Sequence, residues 1–254
     1  MTRKKTGVPD HDDADDLPEG RGWLVEFARA WLPAILAVVI IRTFIFEPFR
    51  IPSGSMVPTL LVGDHVLVSK FSYGLWVHFP FPKALGVPSV ELLDLGNPER
   101  GDIIVFRYPR DPSTHYIKRV VAIPGDRIKV KDNQIILNDE LQPRDFLGKY
   151  EFVDSKCVSQ KVNQYTEVIA DGEAHHVLTR PGGFGPLADT VEFVVPEDRV
   201  FVMGDNRDNS EDSRAWKYVR YDQIKGRAGM VWFSLDPCKG GLSFRMDKFF
   251  QKLI

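Results

Sequence analysis

The chain has 254 residues, 43% apolar and 27% charged, with 18 prolines and 20 glycines. That composition excludes a disordered chain, a collagen, a coiled coil and a polytopic membrane protein. Thirty-three Lys and Arg against 35 Asp and Glu leave a net charge of −2, so no basic excess drives nucleic-acid binding. Cys157 and Cys238 are the only cysteines, too few for a disulfide scaffold or a cysteine zinc site. HExxH, a GxGxxG after a strand and GxxxxGK[ST] are all missing.

In chain order, residues 1–29 are polar, with five Lys/Arg and seven Asp/Glu, and the acidic run His11–Asp16 reads as disordered. The composition then switches. Ala30–Ile41 carries no charge, and Thr43–Phe46 extends it past Arg42. Residues 30–46 as a helix would span ~26 Å, the lower limit for a bilayer core. A buried core helix, a cleavable signal peptide and an uncleaved anchor all compete for this segment. Glu47-Pro48-Phe49-Arg50 follows it where a small-residue cleavage site would have to be, and Trp23 and Trp31 sit where an interfacial belt belongs. The anchor is the favoured reading. Arg3, Lys4, Lys5, Arg21 and Arg29 precede it, which keeps the N-terminus cytoplasmic and exports the rest.

Beyond Phe49 the chain reads as short strands between turns. Val66–Phe71, Asp102–Tyr108, Thr114–Ile123, Arg127–Val130, Ile135–Leu137, Val191–Val195, Arg199–Met203 and Gly226–Phe233 are rich in β-branched and aromatic residues. Lys131–Gln134 is the expected hairpin loop. The implied class is all-β. Gly74–Pro98 looks like an insertion, and its apolar start Leu75–Phe81 either packs on the core or forms a membrane-contacting rim. Asp139–Thr190 has weak periodicity and belongs to a second subdomain in this reading.

Three segments could carry chemistry. Ile51–Leu60 (IPSGSMVPTL) is a Pro/Gly turn able to expose Ser55 beside converging backbone N–H groups, as an acyl-transfer nucleophile and oxyanion hole require. A plain turn serine fits the same pattern. In Thr114–Ile123, read as a strand, Tyr116, Lys118, Val120 and Ala122 share one face, and Ile117, Arg119, Val121 and Ile123 the other. A lysine in an apolar surround loses hydration, its pKa falls and it can serve as a base; a solvated edge-strand lysine is the plainer alternative. Met203–Arg214 is crowded with carboxylates and Asn. It lacks the glycine and glutamate of a calcium loop and otherwise reads as a polar turn with Asx bonds and Arg–carboxylate pairs.

PSGSM after the apolar segment, RGDIIVFRYP at Arg100–Pro109, YIKRVVAIPGD at Tyr116–Asp126 and GDNRDNSEDSR at Gly204–Arg214 follow one another in that order. Over about residues 42–235 this resembles the bacterial type I signal peptidase (leader peptidase) family. The resemblance implies Ser55 as nucleophile and Lys118 as general base, a Ser–Lys variant of the serine-hydrolase constellation. It implies an oxyanion hole from the Ser55 N–H and the Ser53 hydroxyl, Ser210 orienting the lysine, Asp212 and Arg214 bracing the loop, and Tyr116 packed near the amine. Phe49, Ile51, Met56, Tyr116, Ile117 and Met203 are candidate pocket residues. It also implies an antiparallel β catalytic core (47–126 and 197–254) with a smaller inserted β subdomain near 127–196. No metal or cofactor is required. The implied partners are preprotein signal peptides with small residues at the first and third positions before the cut, and membrane lipid. The implied location is the exported face of the bacterial cytoplasmic membrane. Only one membrane segment is visible where some relatives have two, and pairing of the cysteines stays open.

Rival readings remain. In a histidine-based hydrolase, Asp102 or Asp111 would orient His115, but His115 and Lys118 fall on opposite strand faces. A Ser–Lys self-cleaving repressor would need a helical DNA-binding module, which the sequence lacks. A non-catalytic anchored β module would make Ser55 and Lys118 dispensable.

Overall fold

The computed structural model describes residues 19–40, 45–73, 75–77, 90–93, 96–170, 172–182, 185–240 and 242–253. The chain divides into two compact units, Met1–Thr43 and Phe44–Ile254.

The first unit contains α1 (Glu19–Ile40). It overlaps the expected 30–46 segment from Ala30 to Ile40, and residues 41–44 lie outside the described residues. The helix includes part of the polar stretch, Glu19–Arg29, since coiling needs backbone hydrogen bonds and not an apolar composition. Trp23, Phe27 and Trp31 recur at helical spacing, with ring centroids 6.4 and 6.0 Å apart. At the other end Phe46 opens a strand. Among the described residues no helix is long and apolar enough to cross a membrane. The acidic run His11–Asp16 and Arg42 lie outside the described residues. Trp23, Phe27, Trp31, Leu32, Ile35, Leu36 and Val38 are all more than half exposed.

The second unit is antiparallel β throughout its named strand pairs, as the sequence pattern predicts. Its main sheet runs β1 (Phe46–Arg50), β2 (Asp64–Ser69), β16 (Ile224–Ser234), β5 (Ile103–Tyr108), β6 (Asp111–Ala122), β14 (Arg199–Met203), β15 (Val219–Arg220), with β17 (Gln251–Lys252) on β16. A ribbon pairs β3 (Leu75–Val77) with β4 (Val90–Leu93). The remaining residues of the apolar stretch Leu75–Phe81, from 78 on, lie outside the described residues, and so does the question of whether it packs or forms a rim.

Between Arg127 and Val194 the strands form sheets of their own. One orders β13 (Phe193–Val194), β7 (Arg127–Lys131), β8 (Gln134–Leu137) and β9 (Glu140–Leu141); the other orders β10 (Arg144–Val153), β11 (Ser159–Glu167) and β12 (His175–Thr179). The β7–β8 hairpin closes as expected. Asp132 and Asn133 take positive φ between the paired Lys131 and Gln134, matching the twist of the strands. β10 and β11 escape a reading by alternation because most of each is exposed or half-buried on both faces, whereas β12 is buried at four of its five residues. Their apolar minority still packs on the main sheet's connections. Phe152, Val162 and Leu178 cluster with Val57, while Ile128, Val130, Ile135 and Leu137 cluster with Val121, Ala122, Phe201 and Met203.

The two cysteines pair, Cα to Cα 5.3 Å, tying the β10–β11 turn to the segment after β16 across 81 positions. Sequence spacing carries no such distance.

Candidate active site

Ser55 sits on a single 3₁₀ turn, Gly54–Met56, entered from extended backbone at the solvent-exposed Ser53. Pro52 and Pro58 flank the turn and prevent it from continuing a strand or a helix. Ser55 is 7% exposed and Met56 fully buried, so the turn is anchored by its own methionine.

Lys118 lies at the middle of β6. The strand faces are as alternation predicts, but neither cation is solvated: Lys118 is 4% and Arg119 2% exposed. The Lys118 Nζ donates to Ser55 Oγ at 2.6 Å and to the Ile117 carbonyl at 3.0 Å. The Tyr116 ring, two residues back on the same face, has its centroid 5.4 Å from the amine. Loss of hydration pulls the Lys118 pKa from 10.5 to about 8, although the Asp212 and Asp205 carboxylates partly restore the charged form. Arg119 points the other way into a buried bidentate pair with Asp205, both contacts 2.9 Å, and Thr59 donates to the same carboxylate.

The segment Gly204–Arg214 reaches the pair from the opposite side. The plain expectation of Asx bonds and Arg–carboxylate pairs holds for part of it. Asp212 caps the short helix α2 (Ser213–Trp216) and grips Arg214 through two contacts of 2.8 and 2.9 Å. Burial opposes ionisation of Asp212, but the Arg214 charge outweighs it and holds its carboxyl below the usual range. Ser210 donates to Asp212 Oδ2 at 2.7 Å. Its hydroxyl therefore bears on Lys118 through the Asp212 carboxylate, and not by a direct hydrogen bond in this structure.

Sequence reasoning missed how this segment holds the nucleophile's backbone. The Asn206 N–H donates to the Ser55 carbonyl at 3.1 Å and its Nδ2 to the Gly54 carbonyl at 3.0 Å. A Cβ on Gly204 would stand 2.3 Å from Ser210 Oγ and 2.6 Å from the Ser55 carbonyl oxygen, so only glycine lets the two segments close. Arg207 pairs with Glu167 on β11, 40 positions away, and Asp208 ties down the Arg180 and Gly185 backbone. The run of carboxylates and Asn signalled many bonds but not their distant partners.

The candidate pocket residues separate. Phe49, Ile51, Met56 and Ile117 join one apolar cluster with Val66, Val68, Val105 and Ala228. Met203 packs in a second and Tyr116 borders a third. His115 rests 5.6 Å from the Phe49 ring, on the face away from Lys118. Asp111 is occupied by Ser113 and Thr114, and Asp102 by Tyr73 and Arg227, so neither orients His115. Among the described residues no cluster of metal-ligating side chains occurs.

The β scaffold thus sets a serine hydroxyl against a buried lysine amine, an arrangement that could activate a nucleophile. The sequence model of the family "Signal peptidase, peptidase S26" matches residues 24–233. The chain belongs to that family and is an enzyme of the signal peptidase I kind. Curated relatives named signal peptidase I include those of Pseudomonas aeruginosa (36% identical, covering 83% of this chain and 73% of that protein), Rickettsia typhi (36%, 82% and 80%) and Aquifex aeolicus (36%, 79% and 80%).

Proposed function

We propose that this enzyme cleaves signal peptides from exported preproteins with Ser55 as nucleophile and Lys118 as general base. The observation that carries this reading is the 2.6 Å contact between a buried lysine amine and a buried serine hydroxyl. The neutral amine takes the Ser55 proton as Oγ attacks the scissile carbonyl. The ammonium so formed protonates the leaving amine, and water then hydrolyses the acyl-serine with Lys118 again as base. The Ser55 N–H and Ser53 hydroxyl stabilise the oxyanion. Ser210, Asp212 and Arg214 act as positioning residues, and Tyr116 helps exclude water.

The substrate segment is extended. β1 is the outermost strand on its side, and β6 is paired on its outer edge only from Arg119 onward, by β14. The Phe49–His115 ring contact brings these two edges to one place. A peptide strand between them would satisfy backbone groups on both sides and carry its scissile bond to Ser55. Phe49, Ile51, Met56 and Ile117 offer an apolar wall suited to small side chains at the first and third positions before the cut.

The apolar segment 30–46, whose described part begins in α1, supplies the membrane anchor in this reading. Trp31, Leu32, Ile35, Leu36 and Val38 are exposed there, which suits lipid rather than water. The catalytic unit then stands on the exported face. The test is preprotein cleavage by the full-length Ser55→Ala and Lys118→Ala proteins. Both are expected to lose activity while keeping the wild-type circular dichroism spectrum; near-normal cleavage by either ends the assignment. Release of the protein from membranes by alkaline carbonate would end the anchor assignment.

A further inference from the structure

The tip of a β-hairpin normally lies in solvent, and the second position of a two-residue turn with positive φ suits glycine. The hairpin of β7 and β8 departs from both rules. Asn133, at φ 59°, holds that position and is fully buried, whereas its neighbour Asp132 is exposed. What Asn133 offers in place of a glycine is its amide.

Each of its four polar groups has a partner. The Asn133 N–H donates to the Ala188 carbonyl at 3.0 Å, and Nδ2 donates to Asp208 Oδ1 at 2.8 Å. The Asn133 carbonyl accepts from Arg207 Nη1 at 3.0 Å, and Oδ1 accepts from Arg214 Nη1 at 3.0 Å. Three of these partners belong to the segment that meets Ser55 and Lys118, at least 74 positions further along the chain.

The contact with Arg214 completes a set. Its Nε and Nη2 hold the Asp212 carboxylate, and Nη2 also reaches the Arg207 carbonyl at 2.6 Å. Its Nη1 divides between Asn133 Oδ1 and the Leu187 carbonyl at 3.2 Å. The guanidinium's whole complement of N–H donors is thereby used, and its plane is fixed. That plane bears on the amine. The charges acting on Lys118 come from Asp212, Asp205, Arg214 and Glu211; the three carboxylates favour the ammonium and the guanidinium opposes it. We propose that Asn133 is a positioning residue for the reaction: from the inserted subdomain it holds Arg214 on Asp212, and through them it sets the charge that the Lys118 amine faces. This rests on Lys118 being the general base.

The test is the pH dependence of kcat/KM for a preprotein, measured on the full-length wild type, Asn133→Gly and Asn133→Asp. Glycine keeps the backbone conformation and both main-chain bonds but removes the amide. Arg214 then turns from Asp212, the carboxylate bears more on the amine, and the acid limb is expected to rise by about half a pH unit. Cleavage is expected to fall about threefold at pH 7 and to return to the wild-type value on the alkaline plateau. Asn133→Asp keeps an acceptor for Arg214 and adds a carboxylate beside it, so its limb is expected to rise at least as far. Asp132→Gly loosens the same turn without touching Arg214 and is expected to leave the limb in place. A limb unmoved in Asn133→Gly, a loss equal at every pH, or an equal shift in Asp132→Gly would overturn the proposal. Should Asn133→Gly not fold, an unmoved limb in Asn133→Asp overturns it. A wild type with no limb near 8, or an active Lys118→Ala, would instead overturn the general-base reading, so the two failures are distinct.

Discussion

The lowered pKa of Lys118 makes a quantitative demand on the pH profile. At a pKa of about 8 roughly a tenth of the amine is neutral at pH 7, whereas an ordinary lysine at 10.5 would be neutral only ~0.03% of the time, a ratio of ~300. If neutral Lys118 is the base, kcat/KM for a preprotein substrate rises about tenfold per pH unit below about 8 and then levels. Lys118→Arg keeps a donor but never deprotonates, so it is expected to be inactive across the range. The same shift has a stability consequence. Because the folded pKa lies below the unfolded one, the unfolded chain holds more protons between about 8 and 10.5. The unfavourable contribution of Lys118 is thus complete below about 8 and fades as pH rises towards 10.5, amounting to ~3 kcal/mol. Lys118→Met is expected to raise urea-unfolding stability at pH 7 by up to that amount while abolishing cleavage. A kcat/KM limb centred near 10.5, a flat profile, or an active Lys118→Arg would refute the reasoning.

Gly204→Ala is expected to lower kcat at least tenfold with unfolding changed by no more than ~3 kcal/mol, because the new methyl displaces Ser210 or the Ser55 carbonyl; wild-type kcat would show that the close approach does not matter. Asp205→Asn strips a carboxylate from the buried Arg119 and should cost ~3–5 kcal/mol in chemical denaturation, part of it recovered in an Arg119→Met/Asp205→Leu double variant. Burial alone would raise the Glu167 pKa, but Arg207 outweighs it and brings the carboxyl to about 2. Its folded pKa is depressed, so its contribution of ~3 kcal/mol is present above about 4.5 and lost as pH falls towards 2. Glu167→Gln should flatten acid unfolding over that window while lowering stability at pH 7.

The sequence by itself determined the class of the fold and the family of the chain. β-branched runs between Gly, Pro and Asn can bury only alternate faces, so Asp102–Tyr108, Thr114–Ile123 and Arg199–Met203 had to become strands. The ordered segments around Ser55, Lys118 and Gly204–Arg214 carried the family resemblance and singled out the groups proposed to react. Tertiary structure alone decided that Lys118 and Arg119 are both buried, because alternation says which face a side chain takes and not what covers it. It alone linked Asp205 to Arg119, Arg207 to Glu167, Asn206 to the backbone at Ser55 and Cys157 to Cys238, each pair separated by dozens of positions or more. It also carried helix back to Glu19, inside the polar stretch, since backbone hydrogen bonding makes a helix and hydropathy does not. β10 and β11 stayed illegible for a related reason: strands largely exposed or half-buried on both faces write a weak alternating pattern, and their partners hold them by main-chain bonds that any side chain permits.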